Sequence, residues 1–310
     1  MTEHKLSPEA IKKLSEIKLI SMDSIFENKM LGIIYGNNNV LEYYNLENNE
    51  RRKLAKATGA IWSFHHNSKN KKTHYSRGNS KIFCLENSSK QERQNYICSI
   101  NSFNGLISDA GRYGLFNTET SEELISKKSL ENKNIYSINS LNNFNNSLYA
   151  LVQKTDDSNS VVEINTSNSN SFFIGETIKN YDVSHGSICD FAIVPQGNMR
   201  GDNGKAYPFS IITCANMDYL DLNGEKIVGI EVKNSSNQSI RRLKLIKSTP
   251  TTAEIIYSGY NLNTIYKAKI DLQSKKADVQ PMIKQLSDCV FALEPVFDKE
   301  SHELFLKHKR

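Results

Sequence analysis

The feature that most constrains this chain is the recurrence of short apolar runs in hairpin-like pairs. Runs rich in Ile, Val, Tyr, Phe and Leu are bounded by Asn, Gly, Asp and Ser, which is how strands and tight turns are written. Met30 to Tyr35, a turn through Gly36 to Asn39, and Val40 to Leu46 make the first clear unit. Leu106 to Ser108, a turn over Asp109 to Arg112, and Tyr113 to Phe116 make a second. Leu148 to Val152 with Val161 to Ile164 across a polar turn from Lys154 to Asn159 is a third. Phe209 to Cys214 with Tyr219 to Leu222, and Glu254 to Tyr257 with Thr264 to Ile270, add two more, and a weaker unit lies between Trp62 and Leu85. Clear units start about 40 to 75 residues apart, and a four-stranded propeller blade occupies about 40 to 50 residues. The expectation is therefore an all-β chain of WD40-like propeller blades, complete or partial, with a β-sandwich as the competing fold. The polar stretches Asn67 to Asn79, Thr118 to Lys133 and Gln196 to Lys205 are expected as surface loops.

One helix is expected, ahead of the blades. Ser7 as N-cap, Pro8 at N1 and Glu9 in the first turn lead into Ile11, Leu14 and Ile17 at helical spacing. This divides the chain into an N-terminal helix (1–17), propeller blades (18–228), and a region (229–310) holding further blades or the start of a second propeller. With 310 residues, 38% of them hydrophobic, the chain can bury a core without disulfides. Its five cysteines (Cys84, Cys98, Cys189, Cys214, Cys289) are odd in number and scattered, and no C-x-x-C pair occurs, which fits free thiols in a reducing compartment. The N-terminus lacks the apolar stretch of a secretion signal, and no run reaches the length needed to span a bilayer, so no membrane partner is expected.

The segment from Ile135 to Leu222 is more specific. It carries Ile135 to Leu141, Ser147 to Val152 and Ser160 to Ile164, then His185-Gly186-Ser187-Ile188-Cys189-Asp190-Phe191, and finally Ile211-Ile212-Thr213-Cys214. This order resembles the propeller family of damage-specific DNA-binding protein 1, the large subunit of the cleavage and polyadenylation specificity factor, subunit 3 of splicing factor 3b, and the fungal Mms-type ubiquitin-ligase adaptors. In that family a Gly-Pro-Ile-x-Asp stretch precedes an apolar strand that ends in Thr-Cys-Ser-Gly. Gly186, Ile188, Asp190, Thr213 and Cys214 match, Ser187 replaces the proline, Ala215-Asn216 replace Ser-Gly, and the family's following Leu-Arg is absent. A looser similarity of strand pattern covers Ile20 to Phe116 and Ile240 to Ile270. The resemblance implies a non-enzymatic scaffold that binds other proteins in a multi-subunit nuclear complex, with some cytoplasmic presence: a cullin ubiquitin-ligase adaptor or a pre-mRNA processing subunit.

Read for chemistry, the sequence offers little. His65-His66 with His74 lack Cys or carboxylate partners at metal spacing and are read as part of a polar loop. Asp190, four residues after Gly186, is read as fixing a turn through backbone hydrogen bonds. Gly105, Gly111 and Gly114 do not form G-x-G-x-x-G, and there is neither a Walker motif nor a G-x-S-x-G elbow. No catalytic residue, metal or cofactor is therefore expected. The net charge of +5 and the clusters at Lys69, Lys71 and Lys72 and at Arg241 and Arg242 leave an alternative partner, nucleic acid, with Trp62, Phe64 and Tyr75 as stacking candidates. Trp62 and Phe64 also fit one buried face of a strand. A third reading is a propeller enzyme, whose acidic groups or histidines would converge at the mouth of the central channel.

Overall fold

The computed structural model describes residues 29–307 except 68–69, 78–80, 86–89, 93–96, 104–105, 167–171, 186–187, 216–217, 232–237 and 287–289. The helix expected over 1–17 lies outside the described residues. Antiparallel strands are grouped in fours, each group a blade. Blade 1 contains β1 (Gly32–Asn37), β2 (Val40–Asn45) and β3 (Arg51–Lys56). Blade 2 is β4 (Ile61–Asn67), β5 (Lys72–Arg77), β6 (Lys81–Cys84) and β7 (Lys90–Glu92). Blade 3 is β8 (Ile97–Phe103), β9 (Leu106–Gly111), β10 (Gly114–Asn117) and β11 (Glu123–Ser126), followed by the short helix α1 (Lys127–Glu131). Blade 4 is β12 (Ile135–Phe144), β13 (Ser147–Lys154), β14 (Asn159–Thr166) and β15 (Phe172–Tyr181). Blade 5 is β16 (Phe191–Arg200), β17 (Ala206–Ala215), β18 (Tyr219–Leu222) and β19 (Glu225–Glu231). Blade 6 is β20 (Ser239–Ser248), β21 (Thr252–Tyr260), β22 (Thr264–Asp271) and β23 (Lys276–Lys284).

The last strand, β24 (Val290–Val296), returns to pair with β1 and becomes the innermost strand of blade 1, from Gly32↔Val296 to Asn37↔Val290. The innermost strands β24, β4, β8, β12, β16 and β20 then touch in a closed circuit. Residues 239–296 thus supply the sixth blade and the strand that closes the first. The outer strands of blades 5 and 6 also meet, through one parallel bridge at Val228↔Lys276.

The core is a ring of six layers, one between each pair of neighbouring blades. Inner strands therefore bury both faces. Along β13, Leu148, Ala150 and Val152 pack toward blade 3, whereas Tyr149 and Leu151 pack toward blade 5. The Asn excess supplies turns: Asn38, Asn49, Asn134, Asn223, Asn261 and Asn263 all take positive φ, a region Asn enters more readily than other side chains. Asn145 and Asn146 both do so at the β12–β13 hairpin, as a type I′ turn requires.

All five clear hairpins of the sequence form, as does the weaker unit from Trp62 to Leu85, but several loops do not. Asn67 to Asn79 contains β5, Thr118 to Lys133 contains β11 and α1, and β16 continues through Gln196 to Arg200. In β5 the polar side chains Thr73, His74 and Ser76 are buried against neighbouring strands, so low hydropathy there marks buried polar groups and not solvent. The turn expected over Asp109 to Arg112 is shorter, because Asp109 is buried within β9 and accepts a hydrogen bond from the Thr118 hydroxyl at 3.1 Å.

The C-terminal helix α2 (Lys299–Lys307) caps blades 1 and 2. Asp298 accepts the Ser301 N–H at 2.7 Å, Phe305 is fully buried beside Tyr43, and Ser301 meets Nε2 of His66 at 2.6 Å.

Candidate functional site at the mouth of the central channel

Near the head of each innermost strand stands one equivalent pair of residues. The pairs are Ser63-Phe64, Ser99-Ile100, Ser140-Leu141, Asp190-Phe191, Arg242-Leu243 and Ala292-Leu293, and the first member of each lines one central cavity. The polar members form a belt that passes from blade to blade. Ser63 Oγ accepts the Ile100 N–H at 3.0 Å, and Ser99 Oγ accepts the Leu141 N–H at 3.1 Å. The Ser140 hydroxyl donates to Asp190 Oδ1 at 2.5 Å. Asp190, only 3% exposed, also accepts the N–H of Phe191 at 3.0 Å and of Leu243 at 3.1 Å. One carboxylate thereby joins blades 4, 5 and 6.

Arg242 completes the circuit. Its guanidinium donates to the carbonyls of Phe291 on β24, of Trp62 on β4 at 3.0 Å and of Cys189 at 3.3 Å. Planar donors in a fixed fork suit this bridging of several carbonyls. Deeper in the channel Lys244 pairs with Glu294 at 3.4 Å. The Lys244 ammonium is raised: burial opposes its charge, but the Glu294 and Asp190 carboxylates outweigh that cost. Glu294 is raised as well, by burial first and against the pull of Lys244, with Asp190 adding to the rise.

His65, His66 and His74 do not form the polar loop expected. They lie on β4 and β5, with His65 directly opposite His74. His65 bonds the Ser102 hydroxyl at 2.9 Å, and burial, helped by Lys244 and the two neighbouring imidazoles, depresses it to about 3. His66 sits between the hydroxyls of Thr73 and Ser301. Among the described residues no group of three His, Cys, Asp or Glu is arranged to hold a metal ion.

The remaining sequence candidates are spread around the ring. Gly186 and Lys69 lie outside the described residues. Ile188 is fully buried between blades 4 and 5, and Cys214 is buried between blades 5 and 6, its N–H donating to the Asp190 carbonyl at 3.0 Å. Thr213 donates to Asp221 at 2.7 Å, and Asp221 also accepts the Gly224 N–H in the following turn. Cys84, Cys189 and Cys214 are free thiols. Lys71 pairs with Glu300 at 2.9 Å and Asp298 at 3.3 Å, and Lys72 with Glu119 at 2.6 Å. They lie beyond the tail of β4, whereas Arg241 and Arg242 lie at the head of β20, so these clusters sit at opposite ends of the inner strands.

Sequence reasoning singled out Trp62 but missed the two aromatic side chains beside it at the channel rim, Phe291 and Tyr260. Trp62 stacks on Phe291 with centroids 4.6 Å apart, and Tyr260 lies parallel to Phe291 at 6.4 Å. Tyr260 is 39% exposed, the other two rings half-buried. The blade period would have found Phe291, which like Trp62 stands one residue ahead of a belt position. Further round, Arg112 covers the exposed ring of Tyr136 at 4.6 Å.

No family model matches this sequence, and no curated protein matches it. In three dimensions 615 chains of solved structures match, a breadth that belongs to a repeated architecture and not to one function. Among them is the WD40 β-propeller domain of Doa1, 11% identical, with a TM-score of 0.52 over 86% of each chain. At that identity the likeness shows the fold alone. The chain is a WD40-like β-propeller.

Proposed function

We propose that this propeller is a non-enzymatic scaffold that holds other proteins together in a multi-subunit complex. The observation that carries the reading is how the polar groups of the innermost strands are used. Asp190 spends both oxygens on neighbouring blades, Glu294 is paired with Lys244, His65 is bonded to Ser102, and Arg242 is bonded to carbonyls. The cavity lined by Ser63, Ser99, Ser140, Asp190, Arg242 and Lys244 has a volume of about 20 Å³, room for a water molecule. These are the groups a propeller enzyme would direct at its substrate, and here they fasten blades.

The resemblance of Ile135 to Cys214 favours a nuclear complex of the ubiquitin-ligase or pre-mRNA processing kind. Its described matching residues, Ile188, Asp190, Thr213 and Cys214, serve the propeller's interior and leave the partner open. A nucleic-acid surface has less support, because Lys71 and Lys72 are ion-paired and stand away from Arg241 and Arg242. Crosslinking in native extract followed by mass spectrometry of what copurifies tests the proposal. A cullin or its receptors, or splicing or polyadenylation subunits, would support it and choose the branch. Recovery of the folded chain alone would overturn it.

A further inference from the structure

The channel rim of blades 6, 1 and 2 combines three observations. Trp62, Phe291 and Tyr260 form a line of near-parallel rings, the last of them exposed. One cation stands at the head of β20 in this sector, Arg241. Arg241 is fixed by bonds to Ser239 Oγ at 3.0 Å and Cys189 Sγ at 3.4 Å, and Ser239 is the cross-strand partner of Tyr260. Among the described residues Arg241 has no carboxylate partner. The connections 38–39, 57–60 and 261–263 at this end of these blades contain no Asp or Glu, and Asp288 of the β23–β24 connection lies outside the described residues. Opposite them, blades 4 and 5 present Asp156, Asp157, Asp182 and Asp218 at the same end.

We infer that this sector docks an extended acidic peptide segment of a partner protein, with a carboxylate on Arg241 and an adjacent apolar or aromatic side chain on the Trp62–Phe291–Tyr260 line. This deepens the scaffold reading and rests on it. Aromatic and arginine side chains concentrate binding energy at such surfaces, and an unpaired cation on a pre-ordered strand selects the anionic partner. The acidic half of the same face repels that peptide and confines it to this sector.

The chain has one tryptophan, and it lies in the sector, so its emission reports occupancy directly. The full chain would be titrated with a peptide pool carrying one fixed Glu flanked by randomised apolar and aromatic positions, and with the same pool carrying Gln. The expected result is a saturable emission change with the Glu pool, at least about tenfold weaker with the Gln pool. Arg241→Gln and Tyr260→Ala, each verified as folded by circular dichroism, should weaken it by a similar factor, and Lys71→Gln at the far end should leave it unchanged. Equal binding of the Gln pool, indifference to both rim substitutions, displacement by oligouridylate, or occupation of the rim by a second copy of the chain would each overturn the inference. If Arg241→Gln leaves the crosslinked partners of the native chain unchanged, the scaffold stands and this sector is not its docking site.

Discussion

Replacing Asp190 tests whether the belt holds the ring together. In Asp190→Ala, the N–H groups of Phe191 and Leu243 and the Ser140 hydroxyl lose their acceptor inside a site that is 3% exposed. Each buried unsatisfied donor costs about 1–3 kcal/mol, and the hydroxyl recovers part of its loss by rotating. The sum is about 3–5 kcal/mol, a large fraction of the roughly 5–15 kcal/mol that holds a typical native protein together. Asp190→Asn keeps one acceptor oxygen but turns an NH2 toward an N–H donor, so about 1–3 kcal/mol is expected. Urea denaturation followed by tryptophan emission and far-UV dichroism gives the midpoints, and an unchanged m-value confirms that stability alone has moved. Ser140→Ala combined with Asp190→Ala should cost less than the two singles summed, because they share one bond. A midpoint for Asp190→Ala within about 1 kcal/mol of the native chain would refute the belt as a stabilising element.

His65 sets a pH dependence: the unfolded imidazole takes a proton near 6.5 and the native one only near 3. Stability is therefore complete above about pH 6.5 and falls as pH drops toward 3, by about 3 kcal/mol at pH 4, and His65→Gln should flatten the urea midpoint across that window. Gly259→Ala would place a Cβ 1.9 Å from the Ser239 carbonyl oxygen and 2.7 Å from the Arg241 nitrogen, both backbone atoms; a loss of about 1–3 kcal/mol is expected by the same denaturation assay. Lys244→Met strands Glu294 beside Asp190 and should cost about 2–4 kcal/mol, much of it recovered in Lys244→Met/Glu294→Leu. Deleting 290–310 removes β24 and opens the ring, so the cooperative transition should be lost on urea titration, whereas deleting 299–310 removes only α2 and should retain it.

The hairpins were legible because Asn and Gly turns punctuate apolar runs, and the positive φ of Asn38, Asn145 and Asn146 shows the physics behind that punctuation. The choice of propeller over sandwich was present too, in the burial pattern of the inner strands. A sandwich strand alternates apolar and polar residues, whereas Leu148 to Val152 and Ile211-Ile212 are continuously buried because each inner strand lies between two blades. The polar stretches misled for the converse reason. Thr73, His74, Ser76 and Asp109 are buried within strands, and hydropathy cannot separate a buried polar group from a solvated one.

The belt was hidden by distance along the chain: Asp190 meets Ser140 and Leu243, 50 and 53 residues away, and no local pattern joins them. Once the blade period is known, the belt reads as one polar or small residue directly ahead of an apolar one near each inner strand head. The sequence of its members then has a mechanical logic. Serines suffice on blades 2, 3 and 4, where one hydroxyl reaches one N–H or the carboxylate of the next blade. Asp190 and Arg242 take over towards the closing blade, where each must tie several elements at once. Arg242 does so through the carbonyls of Trp62 and Phe291, the two stacked rings of the rim. The bond that fastens blades 6, 1 and 2 therefore also fixes the backbone that presents those rings, so the surface proposed to dock a partner is ordered before the partner arrives.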